Sequence, residues 1–226
     1  MQSSRKSDRL KIGMLYLLLV AGGLWHLLGI LQKVMLWLAA PILIILALLL
    51  FFDLLLVIRR ENGFERKYVI WCALVLSGGF VIEIIGVKTG WVFGRYEYGH
   101  VLQPTLAGVP VAIGFAWLAI QLSSLAVVKR IAEKFALKPV FMPVLTAVFM
   151  LLFDVLMEPA AVYLQYWHWT EGSIPARNYI AWFITGLFFS AAGYALGIFR
   201  IRTTVFAFHA YVAQLIYFVL VDIKAL

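Results

Sequence analysis

A single cysteine, Cys72, stands among 226 residues, so the chain offers no internal disulfide, no C-x-x-C metal site and no iron–sulfur cluster. There is no G-x-G-x-x-G turn and no P-loop, which leaves nucleotides and redox dinucleotides without a docking motif. Clustered aspartates of the D-D-x-x-D kind are missing too, which argues against a prenyltransferase holding magnesium diphosphate. The last apolar run, Thr203 to Asp222, contains no lysine and so cannot carry a retinal Schiff base. Charge is scarce, at 13% of residues against the ~25% of ordinary globular domains. No cofactor and no metal is expected.

Apolar residues are abundant instead, at 64%, with a mean hydropathy of +0.97. Seven near-continuous apolar runs reach spanning length: 12–31, 34–58, 68–87, 109–128, 140–163, 178–199 and 203–222. They predict an all-α polytopic membrane helix bundle of about seven transmembrane helices, a single integral-membrane domain over residues 1–226. The first run follows a basic segment but has full spanning length and no clear A-x-A site after it, so it reads as an uncleaved helix.

Basic residues are unevenly shared between alternate connections. Arg5, Lys6, Arg9, Lys11, Arg59, Arg60, Arg66, Lys67, Lys129, Arg130, Lys134, Lys138, Arg200 and Arg202 fall on one side, which is 14 of the 19 Lys and Arg. Lys33, Lys88, Arg95, Arg177 and Lys224 fall on the other. The positive-inside rule then predicts a cytoplasmic N-terminus in a multi-pass protein of a bacterial or archaeal cell membrane. The net charge of +8 belongs to these short loops and implies no nucleic-acid partner.

One connection is long: Lys88 to Gly108, on the outer side, carrying Trp91, Phe93, Tyr96 and Tyr98. It is too aromatic for a disordered segment and is expected to lie in the interface as a cap. The sixth run bears a stripe of small residues, Gly186, Ser190, Gly193 and Gly197, that lets another helix approach closely.

Counting at 1.5 Å per residue from the cytoplasmic ends, His26, Glu83 and Asp154 all fall in the outer third of the bilayer, about 21–23 Å in. Glu158 shares a helix face with Asp154, and Asn178 and Trp182 open the sixth run at the same level. Ionisable groups at such depth are costly and mark a candidate site. Like charges at i, i+4 repel, so the pair Asp154 and Glu158 is expected to retain a proton and act as an acid. The structural alternative is that arginines, Arg95 or Arg177, hold these carboxylates. Asp53 and His209 lie away from the cluster and read as structural, Asp53 answering a loop arginine. Trp167 and Trp169, flanking His168, resemble an interfacial aromatic belt, although their faces could also stabilise a carbocation.

The third run and its loop read Gly79-Phe-Val-Ile-Glu83-Ile-Ile-Gly86, then Gly90-Trp-Val-Phe-Gly94-Arg-Tyr96-Glu-Tyr98-Gly99, then Leu106-Ala-Gly108-Val-Pro110 and Trp117. Later come Asp154-Val-Leu-Met-Glu158-Pro159, Tyr166-Trp167-His168-Trp169, Ile174-Pro175 and Asn178-Tyr179-Ile180-Ala181-Trp182-Phe183. In this order the motifs resemble the CruF-type carotenoid biosynthesis family of integral-membrane carotenoid 1,2-hydratases. The likeness runs from about Leu24 to Phe199; Ala176 stands where many members carry a bulkier residue. The resemblance implies addition of water to the terminal 1,2 double bond of an acyclic carotenoid end, giving a tertiary alcohol. It also implies a membrane-dissolved carotenoid substrate and makes other enzymes of carotenoid biosynthesis candidate partners.

That chemistry suits the residues. Hydrating a trisubstituted alkene needs an acid able to protonate carbon, a shield for the tertiary cation, and a base that directs water. Asp154 is the candidate acid, and Glu83 or Glu158 the group that orients water; His26, Trp91, Tyr96, Tyr98, Asn178 and Trp182 are candidates to line the substrate. The nearest rival is a lycopene-cyclase-like isomerase, which begins with the same protonation but closes a ring without change of mass. From another class, a non-enzymatic carotenoid carrier or a small-molecule or proton transporter remains open, with Gln121 and Gln214 as weak midplane polar candidates.

Overall fold

The computed structural model describes residues 2–61 and 64–225, with side chains over 8–61 and 64–224. Among these residues each apolar run folds as one helix: α1 (Gln2–Leu28), α2 (Gln32–Arg60), α3 (Glu65–Thr89), α4 (Ala112–Phe135), α5 (Met142–Tyr163), α6 (Ala176–Ala195) and α7 (Val205–Ala225). The chain is a polytopic helical bundle. Six of these helices are long and apolar enough to cross a membrane. The exception is α6, where Arg177, Asn178 and a series of small residues dilute the apolar run, so the sixth expected span is less apolar than its neighbours.

Hydrocarbon offers no hydrogen-bond partners, so polar side chains must turn inward while apolar ones can face lipid. The bundle is sorted that way. Leu17, Trp37, Ile70 and Ile180 point outward and stay exposed, whereas Gln121, Ser123, Ser124, Thr146 and Asp154 are fully buried. Helix α4 is central, packed by α2, α3, α5, α6 and α7. Two of its polar residues find partners within the bundle: Gln121 Nε2 donates to Ser190 Oγ at 3.0 Å, and Ser123 Oγ to the Ala119 carbonyl at 2.7 Å, whereas Gln121 Oε1 and Ser124 Oγ have no partner among the described residues.

The small-residue stripe of α6 serves several neighbours rather than one. A Cβ on Gly186 would lie 3.1 Å from Met150 Sδ, and one on Gly193 would lie 2.8 Å from the Trp71 ring. Gly197 lies beyond the helix, with φ +83. The sixth run therefore ends at Ala195, four residues short of the expected boundary.

The α3–α4 and α5–α6 connections contain what the apolar pattern does not announce. Four short strands form there: β1 (Tyr96–Tyr98), β2 (Thr105–Leu106), β3 (Val109–Pro110) and β4 (Trp167–Trp169). β2 and β3 make a small hairpin within the long loop. β1 pairs antiparallel with β4, joining the α3–α4 connection to the α5–α6 connection. Where the two segments cross, the Gly99 amide donates to the Tyr166 carbonyl at 2.9 Å, and a Cβ on Gly99 would clash with the Gln165 carbonyl oxygen. The loop is thus a cap, as expected, but one stitched to the other half of the chain.

Candidate functional site

In a strand, successive side chains face opposite ways. Tyr96-Glu97-Tyr98 and Trp167-His168-Trp169 share one pattern, with Tyr96 opposite Trp169, Glu97 opposite His168 and Tyr98 opposite Trp167. The four aromatic rings turn down into the bundle, while Glu97 and His168 remain exposed and face each other at 3.6 Å.

The buried ends of those rings find two carboxylates. Glu83 Oε2 accepts from Tyr96 Oη at 2.5 Å and Tyr98 Oη at 2.8 Å, and its Oε1 accepts from Trp117 Nε1 at 3.0 Å. Glu158 Oε2 accepts from Trp167 Nε1 at 3.1 Å and Trp169 Nε1 at 3.0 Å. Asn178 Nδ2 donates both to Glu158 Oε1 at 3.2 Å and to Asp154 Oδ2 at 2.8 Å. Asp154 Oδ1 has no partner among the described residues. Burial, then the charge of Glu83, pushes the phenols of Tyr96 and Tyr98 well above their ordinary range, so both remain donors.

Helix α3 makes room for this arrangement. Gly79, Glu83 and Gly86 lie on one face. A Cβ on Gly79 would sit 2.6 Å from Trp117 Cγ, and one on Gly86 would sit 2.7 Å from Phe93 Cδ2. The glycines thereby admit the rings that close over the carboxylate.

Between the carboxylates lies a cleft with about 700 Å³ of empty space, the open space at its mouth included. Glu83, Glu158, Asn178, Tyr96, Tyr98 and Trp182 line it, together with Phe93, Met157, Tyr166 and Gln214. One wall is a stacked pair, Trp117 and Trp182, with ring centroids 4.1 Å apart and planes 16° from parallel. Among the described residues no Lys, Arg or His nitrogen comes within 4.0 Å of Glu83, Asp154 or Glu158. Arg177 instead points at the end of α3, with Nη1 3.4 Å from the Gly90 carbonyl.

The structure thus gathers six of the nine candidate residues and leaves three outside the wall. Asp154 is fully buried but does not line the cleft, which it reaches only through Asn178. Trp91 is 80% exposed, beyond the cap. His26 packs edge-on against Tyr217 in the α1–α7 contact. Common depth fixes only one coordinate, and the azimuth of each helix decides the rest. Trp167 and Trp169 belong to the site rather than to an outward belt, and Trp117 joins them; the matched aromatic–polar–aromatic triplets are the signal for the first two. Asp53 lies away from the cluster, as expected, with Lys11 of α1 at 3.0 Å as its partner rather than a loop arginine, and His209 meets Tyr16 Oη at 3.0 Å.

Bisanhydrobacterioruberin hydratase of Haloarcula japonica is 28% identical to this chain over 109 residues, 46% of the chain and 37% of that protein's length. No solved structure matches the chain. A sequence profile described as carotenoid biosynthesis protein matches residues 23–224, nearly the whole length, and the chain belongs to that family.

Proposed function

We propose that this membrane protein hydrates the terminal double bond of an acyclic carotenoid end group, giving a tertiary alcohol. The observation that carries the reading is an aromatic-walled cleft holding two carboxylates with no cationic side chain beside them among the described residues. Such a space suits a positive charge that develops on carbon, because ring faces and preorganised anions both stabilise it.

The roles follow from contact. Glu158 faces the cleft and delivers its proton to the less substituted alkene carbon, forming a C–H bond and leaving the tertiary cation. Water adds to that cation, forming the C–O bond, and Glu83 accepts the surplus proton, which passes back through water in the cleft to the Asp154 and Glu158 pair and closes the cycle. Asp154 acts behind the wall as a positioning residue that returns a proton to Glu158. Glu83 and Glu158 each take three donors, whereas Asp154 takes one and has a bare oxygen, so its geometry leaves most room for a proton. The alkene-contacting acid is therefore Glu158 in this scheme, one helical turn from the residue the sequence favours.

Expression in cells that make lycopene tests the reading. The expected product is a more polar pigment heavier by one water per modified end, with its visible absorption nearly unchanged. A product of unchanged mass supports cyclisation, and no product with any acyclic carotene supports a carrier.

A further inference from the structure

Consecutive helices joined by a short turn ordinarily pack as an antiparallel hairpin. Here α1 and α2 are separated only by residues 29–31, yet α1 lies along α7 and α2 along α4. Gly22 and Gly23 let α1 approach α7: a Cβ on Gly22 would meet Tyr217 Cε2 at 3.5 Å, and one on Gly23 would meet Leu220 Cδ1 at 2.9 Å, while toward α2 Gly22 faces only Met35, close to the turn. A cleft is left between α1 and α2.

That cleft adjoins the candidate site through a second cavity. Leu43, Tyr166, Gln214 and Phe218 line both the carboxylate-bearing cavity and a second cavity behind it, which has about 520 Å³ of empty space. Leu18, Leu19, Ile42 and Leu46 in turn line both that second cavity and a third, with about 1380 Å³ of empty space including its open side, which runs down the α1–α2 cleft. Along α2 the path from Leu43 to Asp53 is ten residues, about 15 Å, or half the hydrocarbon core. Its polar lining is sparse. Gln214 Nε2 is spent on the Ala210 carbonyl at 2.9 Å, and the Lys11–Asp53 ion pair lies at the far end.

We infer that this α1–α2 groove is the binding site for the polyene body of the substrate, which enters sideways from the lipid and presents its end group to Glu83 and Glu158. The occupant must be long and apolar, because the groove is long and apolar, and it must carry a reactive end, because the groove leads to the carboxylates. The identity of that occupant rests on the hydration reading.

Ile45 and Leu49 line the groove on α2 and Leu18 lines it on α1, each about half exposed, so a tryptophan there fills the groove without crowding the bundle interior. The test uses the full chain in lipid nanodiscs with two probes that share one end group: lycopene, a long polyene, and myrcene, a short hydrocarbon. Ile45→Trp, Leu49→Trp and Leu18→Trp should lower lycopene binding, read by visible absorption, by about tenfold or more, the scale of an overpacked contact. They should also lower lycopene hydration much more than myrcene hydration. If the native chain hydrates lycopene and all three variants bind and hydrate it as before, the groove assignment is overturned while the site reading stands. If the native chain hydrates neither probe but binds lycopene in a way the variants weaken, the groove stands and the hydration reading falls. Loss of a co-purifying phospholipid from the variants, with lycopene binding unchanged, shows that an acyl chain fills the groove and overturns the proposal.

Discussion

Tyr96 and Trp169 face each other across two strands, with ring centroids 5.2 Å apart, and each reaches a different carboxylate: Tyr96 Oη donates to Glu83 and Trp169 Nε1 to Glu158. The strand pair is therefore the part that fixes the spacing of the two acids. A donor to a charged group contributes about 1.5–3 kcal/mol. Tyr96→Phe and Trp169→Phe keep the ring contacts or most of them but withdraw that donor, and each should lower kcat by about ten- to a hundredfold. KM for the carotenoid should move little, and the kcat-to-KM split in steady-state assays checks this.

The carboxylates separate chemistry from packing. Glu158→Gln and Glu83→Gln should lower turnover by ~10²- to 10⁴-fold, the range for a lost acid or base, with pigment binding retained. Asp154→Asn should reduce turnover comparably if Glu158 draws its proton from it, because the amide keeps the shape but cannot return a proton. Glu97→Gln, on the exposed face of β1, is the control and should keep full activity. Normal turnover in Asp154→Asn would remove that residue from the proton path.

Gly79→Ala tests the room made for Trp117. The new methyl lands 2.6 Å from Trp117 Cγ, so the indole must leave both Glu83 and its stacking partner Trp182. Overpacking of this kind costs about 1–3 kcal/mol, visible as a lower Tm together with lost activity. Gly13→Ala, where nothing lies within 4 Å, should leave Tm unchanged or raise it slightly.

Topology is checked by reporter fusions. Sites near Gly99, Gly172 and the C-terminus should report the outer side, and a site after Lys134 the cytoplasm. A cytoplasmic signal at Gly172 would place the strand pair on the wrong face for the positive-inside assignment.

The helices were legible because lipid demands long apolar runs, and Glu83, Glu158, Asn178 and Trp182 stood out because polar or amphipathic groups at one depth are rare there. The strand pair was not legible by periodicity, since three residues are too few to show a repeat. For Trp167 and Trp169, a belt residue and a carboxylate ligand have the same composition, and only the turn of β4 decides which way the N–H points. Asp154 and Glu158 differ by about 40° around α5, enough to put one in the cleft wall and the other behind it. Trp91 sits near Tyr96 in sequence, but the turn at Gly90 and Gly94, both with positive φ, sends it outward.

The donors of each acid also lie downstream of it in the chain. Glu83 is followed by Tyr96, Tyr98 and Trp117, and Glu158 by Trp167, Trp169 and Asn178. A chain made and inserted from its N-terminus therefore exposes each bare carboxyl only until the next few dozen residues emerge. Each half of the site arrives in the membrane carrying its own means of neutralising the acid it has just buried, and the order of synthesis becomes a route around the cost of placing charge in lipid.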